Sequence, residues 1–418
     1  MVRTSSEGPI EIVSDDESVY FEAVSSSTPA KHTLSSASKF HRNGKSIDNV
    51  SVKAKRRLCM CVEPDVEIED YGNFLKRKKP REDDNTLLYR FRNKRGLYVS
   101  DVTRTEWCER QMEFTLFSEE EWKNNNEDRQ SYFGGGSRRN NKAIKAGRDR
   151  HDQLQQEVHY MVEVEVKSRE DDMAMKFVNF INGVNQLLFE GLTRELPIVS
   201  FAFDQGIWMV GKIDEVQMPR AKKHHNPILV ETKTRFQDTV PSEAQKRNGR
   251  IQLMCYKYLW DNLVAHAHRD FPSKQLYDYF ELNPRRALCK DLRAACDDSG
   301  FSAKTLEDVV RRYQNTCKML APAHDMLVLR YESQRDHSVV DEEKVAYDDC
   351  WVKSEIHSCL ELWLGQRDAS YVAEDEQWKC SYCDFVSECQ ASTDTDIDTD
   401  VDTEAEIMES LASDYSSE

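Results

Sequence analysis

The chain has 418 residues, of which 39% are hydrophobic and 32% are charged, and its formal net charge is −17. This length allows one large domain or two ordinary ones, and the low apolar share predicts segments without a core. The sequence contains no apolar run of about 18 residues, so no membrane-spanning helix is expected. Twelve cysteines in a long chain without an apolar leader are not typical of a secreted disulfide protein, and we expect an intracellular protein with reduced or metal-bound thiols.

Both ends of the chain are predicted to be disordered. Residues 1–90 are rich in Ser, Lys and Asp without apolar periodicity, and residues 391–418 hold ten acidic and no basic side chains. The basic runs KAKRR (53–57) and KRKKPR (76–81) fit nuclear import signals or a loose DNA-binding arm, although such runs are often only solvated charge. In PIEIVSDDES, Ile10, Ile12 and Val13 precede a run of acids. This segment resembles a SUMO-interacting motif or is a chance cluster.

A helical pattern begins near Tyr98, in the segment YVSDVTRTEWCERQMEF. Ser100 or Asp101 is predicted to cap this helix, which would contain Cys108. Its apolar positions recur at helical spacing and are Val102, Trp107, Met112 and Phe114.

A basic segment follows the turn-rich loop YFGGGSRRNN. The stretch KAIKAGRDRHDQLQQEVHY is predicted to be helical, and the cations that precede His151 are Arg138, Arg139, Lys142, Lys145, Arg148 and Arg150. In an acidic chain, such a segment predicts a local surface for a polyanion, and its alternative is an ordinary solvated helix face. Tyr132 and Phe133 in the loop are candidates for stacking on nucleobases or for packing on their own domain.

The middle of the chain predicts a buried sheet. IVSFAFD, GIWMVGKIDEVQM and NPILVETKT are short runs rich in β-branched and aromatic residues with turn residues between them. Asp214 is an acid between apolar strand positions, and burying it unpaired would cost several kcal/mol. Glu231 and Lys233 are two residues apart on a strand and share one face.

These residues together predict a metal-dependent phosphodiesterase site. Asp214 and Glu231 supply carboxylates for Mg²⁺ or Mn²⁺, His151 can add an imidazole ligand, and Lys233 can stabilise a developing oxyanion. Gln252 and Tyr256 are four residues apart in IQLMCYKYLW, on one helix face, where they would orient a phosphate or the lysine. Each signal alone is weak, since E-x-K and Q-x3-Y also occur on ordinary strands and helices.

A group of cysteines closes the folded part of the chain. WKCSYCDFVSEC contains Cys380, Cys383 and Cys389 at C-x2-C-x5-C spacing. A soft metal bound by thiolates takes four ligands, so a fourth ligand must come from elsewhere.

GRDRH, GKIDE, ETK and QLMCY resemble the motifs of the RecB-like branch of the PD-(D/E)xK nucleases. SDVTRTEWCERQ, the GSRR loop, ETKTR and the C-terminal cysteines resemble more closely the exonuclease V (Dem1) family of eukaryotic single-strand-specific DNA exonucleases. The resemblance covers about residues 90–390 and neither tail. It implies an α/β restriction-endonuclease-like core, a mixed sheet flanked by helices, within a domain at 91–390 that carries helical additions.

The resemblance also implies the cofactors and the activity. It makes Cys108 the fourth ligand of a [4Fe–4S] cluster that acts as a staple across 272 residues, with zinc as the alternative metal. The expected activity is release of short oligonucleotides from a free end of single-stranded DNA, with the 5′ end favoured, by a monomer in nuclear DNA repair; the mitochondrion is the other location. A catalytically silent DNA-binding scaffold and an RNA-directed nuclease are the rival functions.

Overall fold

The structure, a computed structural model, describes residues 50–54, 86–125, 138–201, 206–219, 226–269 and 271–389. Its strands are β1 (Val50–Ala54), β2 (Leu97–Tyr98), β3 (Tyr160–Val164), β4 (Leu192–Phe201), β5 (Trp208–Gln217), β6 (Ile228–Arg235), β7 (Met326–Ser333) and β8 (Val339–Ala346). Its α-helices are α1 (Leu87–Arg92), α2 (Val99–Trp107), α3 (Glu109–Asn125), α4 (Arg138–Val158), α5 (Arg169–Glu190), α6 (Glu243–His268), α7 (Ser273–Tyr279), α8 (Lys290–Asp298), α9 (Leu306–Cys317) and α10 (Asp349–Trp363). A 3₁₀ helix spans Glu374–Tyr382. None of the described helices combines the length and apolarity needed to cross a bilayer.

A mixed six-stranded sheet forms the centre of the fold. Its strand order is β2-β5-β6-β7-β8, and β4 also pairs with β5. The β2–β5 and β6–β7 pairs are parallel, while β4–β5, β5–β6 and β7–β8 are antiparallel. Strand β4 pairs with β5 along its full length and occupies one edge of it. On the other edge, β2 pairs with the start of β5 and β6 pairs with its end. The predicted mixed sheet is confirmed, and the three strand-like runs of the sequence correspond to β4, β5 and β6.

Helices cover both faces of the sheet at β6, because side chains alternate along a strand. Thr234 faces α4, where a Cβ atom on Gly147 would lie 3.3 Å from the threonine Oγ1. Lys233 faces α6, where its Nζ donates to Gln252. The helix α6 is buried over much of its length, and Leu259 and Trp260 are completely buried in the core. The residues predicted to be catalytic therefore lie between the sheet and the helices α4 and α6.

The segment 50–54 differs from the sequence prediction. Val50–Ala54 is a strand that pairs in parallel with β3, so the prediction of disorder throughout residues 1–90 is wrong there. Asn179 of α5 accepts a hydrogen bond from the Val52 amide at 2.6 Å and donates to the Val52 carbonyl at 2.7 Å. Partners more than 100 residues away hold this strand, and a local pattern carries no sign of them. Residues 86–90, in the same predicted arm, also lie in or beside α1.

Several other predictions fall on residues outside the described part of the chain. These are the SUMO-like run, KRKKPR, the last three residues of KAKRR, the loop aromatics Tyr132 and Phe133, and the acidic segment 391–418.

The helix predicted around Cys108 is two helices. Cys108 has an extended backbone, with φ −167° and ψ 112°, and it separates α2 from α3. Tyr98, and not Ser100 or Asp101, is the residue at which α2 is capped. Asp101 lies in the first turn, where its carboxylate accepts the Tyr98 amide at 2.9 Å and pairs with Arg92 at 2.6 Å. The apolar spacing is compatible with one continuous helix. At the interruption, Sγ of Cys108 accepts a hydrogen bond from the Gln111 amide at 3.4 Å, so this cysteine caps the start of α3.

Candidate active site and cysteine site

The candidate active site lies where β5 and β6 separate. These strands pair only through Glu215–Gln217 and Ile228–Val230. Asp214 is the first residue of β5 beyond the paired part, and its Oδ2 accepts a hydrogen bond from the Thr232 amide at 2.8 Å. Beyond the paired part, the two strands separate and leave an opening. The side chains of Asp214 and Glu231 lie at this opening.

Three ligand atoms converge at this opening. The Nδ1 atom of His151 lies 2.7 Å from Oε1 of Glu195 and 3.7 Å from Oδ1 of Asp214. Ligand atoms of all three residues lie within 4.8 Å of one another. The cluster joins α4, β4 and β5, and each carboxylate is about 5% exposed. One imidazole and two carboxylates make a donor set suited to a hard or borderline divalent cation.

Sequence reasoning did not find Glu195. The predicted strand began at Ile198, whereas β4 begins at Leu192, so Glu195 was left outside it. In the structure Glu195 has a left-handed backbone, with φ 51°, and no ladder pair joins it to Asp214 although the pairs on either side are formed. A left-handed backbone is rare for a residue with a side chain, and such strain occurs at functional sites. Glu195 follows Thr193 and Arg194 in this strand, so the sequence offered no local signal that separated it from ordinary surface charge.

Electrostatics in the cluster favour a cation. Burial alone would lower the pKa of His151, but the charges of Asp214 and Glu195 outweigh it and raise that pKa to about 9. Burial would raise the pKa of Glu195, yet Lys212 and His151 hold it at about 2. Burial and the neighbouring Glu195 charge raise the pKa of Asp214. Lys212, which the sequence analysis also missed, lies with Nζ 2.5 Å from Oε2 of Glu195.

The remaining predicted residues lie beside this cluster. Lys233 Nζ is 3.3 Å from Oε1 of Glu231 and donates to Oε1 of Gln252 at 2.6 Å. Tyr256 is 2% exposed, and it hydrogen bonds with Gln252 and with the backbone of Lys212. Burial, with the charges of Glu231 and Asp214, raises the pKa of Tyr256 well above its ordinary value. The structure therefore brings all six predicted catalytic residues to one place, with Glu231 next to the three-residue cluster and not within it.

The basic segment is helical, as α4, but its cations differ in their surroundings. The side chains of Lys145 and Arg148 are exposed. Arg150 is half-buried, and its Nε pairs with Oε2 of Glu332 on β7 at 2.8 Å. This pair ties α4 to the sheet, and the DNA contact predicted for Arg150 stays a prediction. The side chains of the cations at positions 138, 139 and 142 lie outside the described part of the structure.

The four cysteines proposed as ligands meet in one apolar cavity. Cys108, Cys380, Cys383 and Cys389 line it together with Trp107, Gln111, Phe114, Val372, Lys379 and Val386. Two aromatic contacts bring the distant segments together: Trp107 against Trp378, with ring centroids 5.9 Å apart, and Phe114 against Phe385, at 5.5 Å.

The thiols of this cavity influence one another. Burial raises the pKa of Cys383 to about 11, and the other three thiols contribute to the increase. Burial also raises the pKa of Cys108, as do Cys380 and Cys389. Negative charges on neighbouring thiolates in an apolar cavity destabilise each other. A bound soft metal or iron–sulfur cluster would neutralise these charges.

The other described cysteines have ordinary surroundings. Cys255, Cys296, Cys317 and Cys359 are buried in the core, Cys289 is half-buried, and Cys350 is exposed. They are therefore core or surface thiols.

A buried cluster of one imidazole and two carboxylates, with a lysine and a glutamine beside it, is a set of groups suited to hydrolysis of phosphate esters. Comparison with known families agrees with a nuclease. Residues 86–227, 217–308 and 297–391 match the family model described as "Exonuclease V - a 5' deoxyribonuclease". The chain belongs to the exonuclease V family.

A relative from Danio rerio, named Exonuclease V, is 26% identical over 389 residues. The alignment covers 91% of this chain and 89% of the relative. The family resemblance noted from the sequence is therefore confirmed, and the chain is a nuclease of a family that indicates activity on DNA.

Proposed function

We propose that this chain hydrolyses phosphodiester bonds of single-stranded DNA with Mg²⁺ or Mn²⁺ held by His151, Glu195 and Asp214, on a core of the PD-(D/E)xK type. The observation that carries the proposal is the convergence of these three ligand atoms within 4.8 Å. The sequence-based ligand set of His151, Asp214 and Glu231 is thereby extended by Glu195. Glu231 stands beside the cluster, where it can take a ligand position of its own or orient water.

The metal and the residues around it would have separate roles in the reaction. A bound divalent cation supplies polarisation of the phosphoryl oxygen and a hydroxide at neutral pH. Lys233, held by Gln252 at 2.6 Å, presents a fixed positive charge to the oxygen on which negative charge develops. Tyr256 fills the space beneath β5 and holds Gln252, so that Lys233 has one orientation. Lys212 balances the charge of Glu195 and keeps its carboxylate ionised.

The metal requirement is tested by cleavage of an end-labelled DNA strand in Mg²⁺, in Mn²⁺ and after chelation. We expect wild-type cleavage to stop on chelation, and Asp214→Asn to lose cleavage while it still binds the strand, because phosphate contacts come from other side chains. Cleavage by the chelated protein, or by Asp214→Asn at the wild-type rate, would remove the cluster from catalysis. If the wild-type protein binds the DNA strand but does not cleave it with either metal, the result would favour the catalytically silent DNA-binding scaffold.

The family description, "Exonuclease V - a 5' deoxyribonuclease", supports an exonuclease that begins at a 5′ end of DNA, and the preference for single strands is part of our proposal. Linear and circular strands of the same sequence separate exonuclease from endonuclease, and blocking either end of the linear strand gives the direction. We expect the linear strand with a free 5′ end to be cut and the circle to resist. A matched RNA strand decides the rival reading, since equal cleavage of RNA would make the enzyme a general single-strand nuclease.

We propose a [4Fe–4S] cluster at the four cysteines. Two observations support it: the cysteines line one apolar cavity, and a lone ligand on one side with C-x2-C-x5-C on the other is unlike the paired hooks of structural zinc sites. Iron, acid-labile sulfide and zinc are measured on protein purified without oxygen. Four irons and four sulfides per chain are expected, and one zinc with no sulfide would replace the cluster by a zinc site.

The proposals for nuclear import and for SUMO binding depend on residues outside the described part of the chain. We propose a nuclear monomer that acts in DNA repair, with KRKKPR directing import and the Ile12–Val13 run binding SUMO. Fluorescent fusions with KRKKPR changed to alanines test import. An NMR titration of SUMO with a peptide of residues 7–20 tests the second contact, and unchanged spectra at millimolar peptide would dismiss it.

A further inference from the structure

The loop between β6 and α6 exposes two large apolar side chains beside the candidate active site. Phe236 is 63% exposed and Val240 is 60% exposed. Phe236 follows Lys233 by three residues, which is about 10 Å along a strand. A single exposed apolar residue needs no explanation. Here two of them lie on the short connection between the E-x-K strand and the helix that carries Gln252.

This loop is held in place from below. Arg235 is 2% exposed, and its guanidinium donates to Oγ1 of Thr239 at 3.1 Å and to Oε1 of Gln245 at 3.2 Å. The backbone amide of Gln334 donates to the Arg235 carbonyl at 2.7 Å. Phe236 therefore extends into solvent from a backbone whose position is set on both sides, so little conformational entropy remains to be lost when a ligand binds it.

The exposed cations of α4 lie close in the sequence to its contact with β6. Thr234 faces Gly147 of α4, and Phe236 follows Thr234 by two residues, directly after the end of β6. Lys145 and Arg148, which flank Gly147 in the sequence, are exposed. An exposed aromatic ring next to exposed cations is the combination with which proteins bind single strands: cations contact the phosphates, and the ring stacks on a base.

We propose that Phe236 is a nucleobase-stacking subsite, on which the bound strand places one unpaired base while Lys145 and Arg148 contact its phosphates. The proposal rests on the proposed function and adds to it a reason for strand selection, because the faces of bases inside a duplex are already stacked and cannot cover the ring.

The test measures binding of a fluorescently labelled oligo-dT strand in EDTA, so that the strand is not cut. Phe236→Ala should weaken binding about tenfold, while the slope of affinity against salt stays unchanged because a phenyl ring releases no counterions. Phe236→Trp should retain affinity, and its indole fluorescence should fall when the strand binds. The side chain is exposed, so thermal melting of all variants should match wild type.

Phe189→Ala is the matched control. Phe189 is 80% exposed at the end of α5, next to Leu192, which pairs with Gln217. Gln217 in turn pairs with Ile228, the first residue of β6. Phe189 and Phe236 therefore lie towards opposite ends of β6, roughly 25 Å apart along the strand, and the control should bind like wild type.

Strands with a single abasic position identify the contact itself. For wild type, one position along the strand should be sensitive to loss of its base, and Phe236→Ala should lose that sensitivity. The proposal is overturned if Phe236→Ala binds as tightly as wild type, or if its sensitivity to the abasic position is unchanged. Either result leaves the proposed function standing when wild type still cleaves the strand, whereas a wild type that neither binds nor cleaves it contradicts the proposed function instead.

Discussion

Gly211→Ala tests whether Tyr256 positions the active site through β5. A Cβ atom at residue 211 would lie 2.8 Å from Cε1 of Tyr256, 3.4 Å from its hydroxyl oxygen and 3.1 Å from Cγ2 of Val99. Favourable carbon–carbon contacts occur at about 3.5–4.0 Å, so the ring must move by roughly 1 Å. Tyr256 is buried on α6 and Val99 on α2, and neither can turn into solvent to relieve the overlap.

The expected cost follows from two opposing effects. Inserting a methyl group into a packed core costs about 1–3 kcal/mol, whereas replacing glycine in a strand returns roughly 0.5–1 kcal/mol. The net destabilisation should be about 0.5–2 kcal/mol, which lowers Tm by a few degrees. Activity should fall further than stability, by about 10- to 100-fold, because the displaced ring carries Gln252 and Lys233 away from the phosphate.

Thermal melting and single-turnover cleavage of a labelled strand measure the two effects. The same substitution in a Tyr256→Leu background supplies the control, because removal of the ring should reduce the stability cost of Gly211→Ala by at least half. Wild-type Tm and rate in Gly211→Ala would refute the reasoning. A stability cost that is the same in both backgrounds would show that the overlap with Tyr256 is not its cause.

Three further predictions concern other parts of the structure. Lys233→Met should lower the cleavage rate by about 100-fold or more and keep Mn²⁺ bound; a rate within a few-fold of wild type would remove Lys233 from the mechanism. Cys380→Ser should lose iron and solubility together, since it opens a site that joins distant segments, and a soluble, iron-free and fully active variant would contradict the staple. Burial would raise the pKa of Glu215, but Arg330 and Arg194 lower it, so its stabilisation is present above the ordinary value of 4.5 and is lost as the pH falls towards the folded pKa. Urea unfolding of Glu215→Gln should therefore show a weaker loss of stability on acidification than wild type, and equal slopes would contradict it.

The sequence predicted the parts of the site that follow strand and helix periodicity. Asp214 was recognised as a charge between apolar neighbours. Strand geometry alone placed Glu231 and Lys233 on one face. Helix geometry alone placed Gln252 and Tyr256 on one face. Their meeting in space depends on strand order, and the family resemblance supplied the expectation of a mixed sheet.

Glu195 and Cys108 show what local patterns could not supply. Glu195 joins the cluster through a left-handed backbone at the point where β4 passes Asp214, and the sequence does not encode the register of those strands in any short motif. Cys108 has helical spacing on both sides, yet it interrupts the helix beside three cysteines that follow it by about 270 residues. Both residues meet partners that lie far away in the sequence, and a local pattern carries no sign of such partners.

Direct metal binding is the sharpest test of the central claim that His151, Glu195 and Asp214 hold the catalytic cation. Mn²⁺ is titrated into wild type, Glu195→Gln and Glu157→Gln, and free Mn²⁺ is counted by its EPR signal. Glu157 is a half-exposed acid on the same helix as His151, and it serves as the matched control. Wild type and Glu157→Gln should bind Mn²⁺ equally, while Glu195→Gln should bind it at least about tenfold more weakly. Equal Mn²⁺ affinity in Glu195→Gln and wild type would contradict the claim.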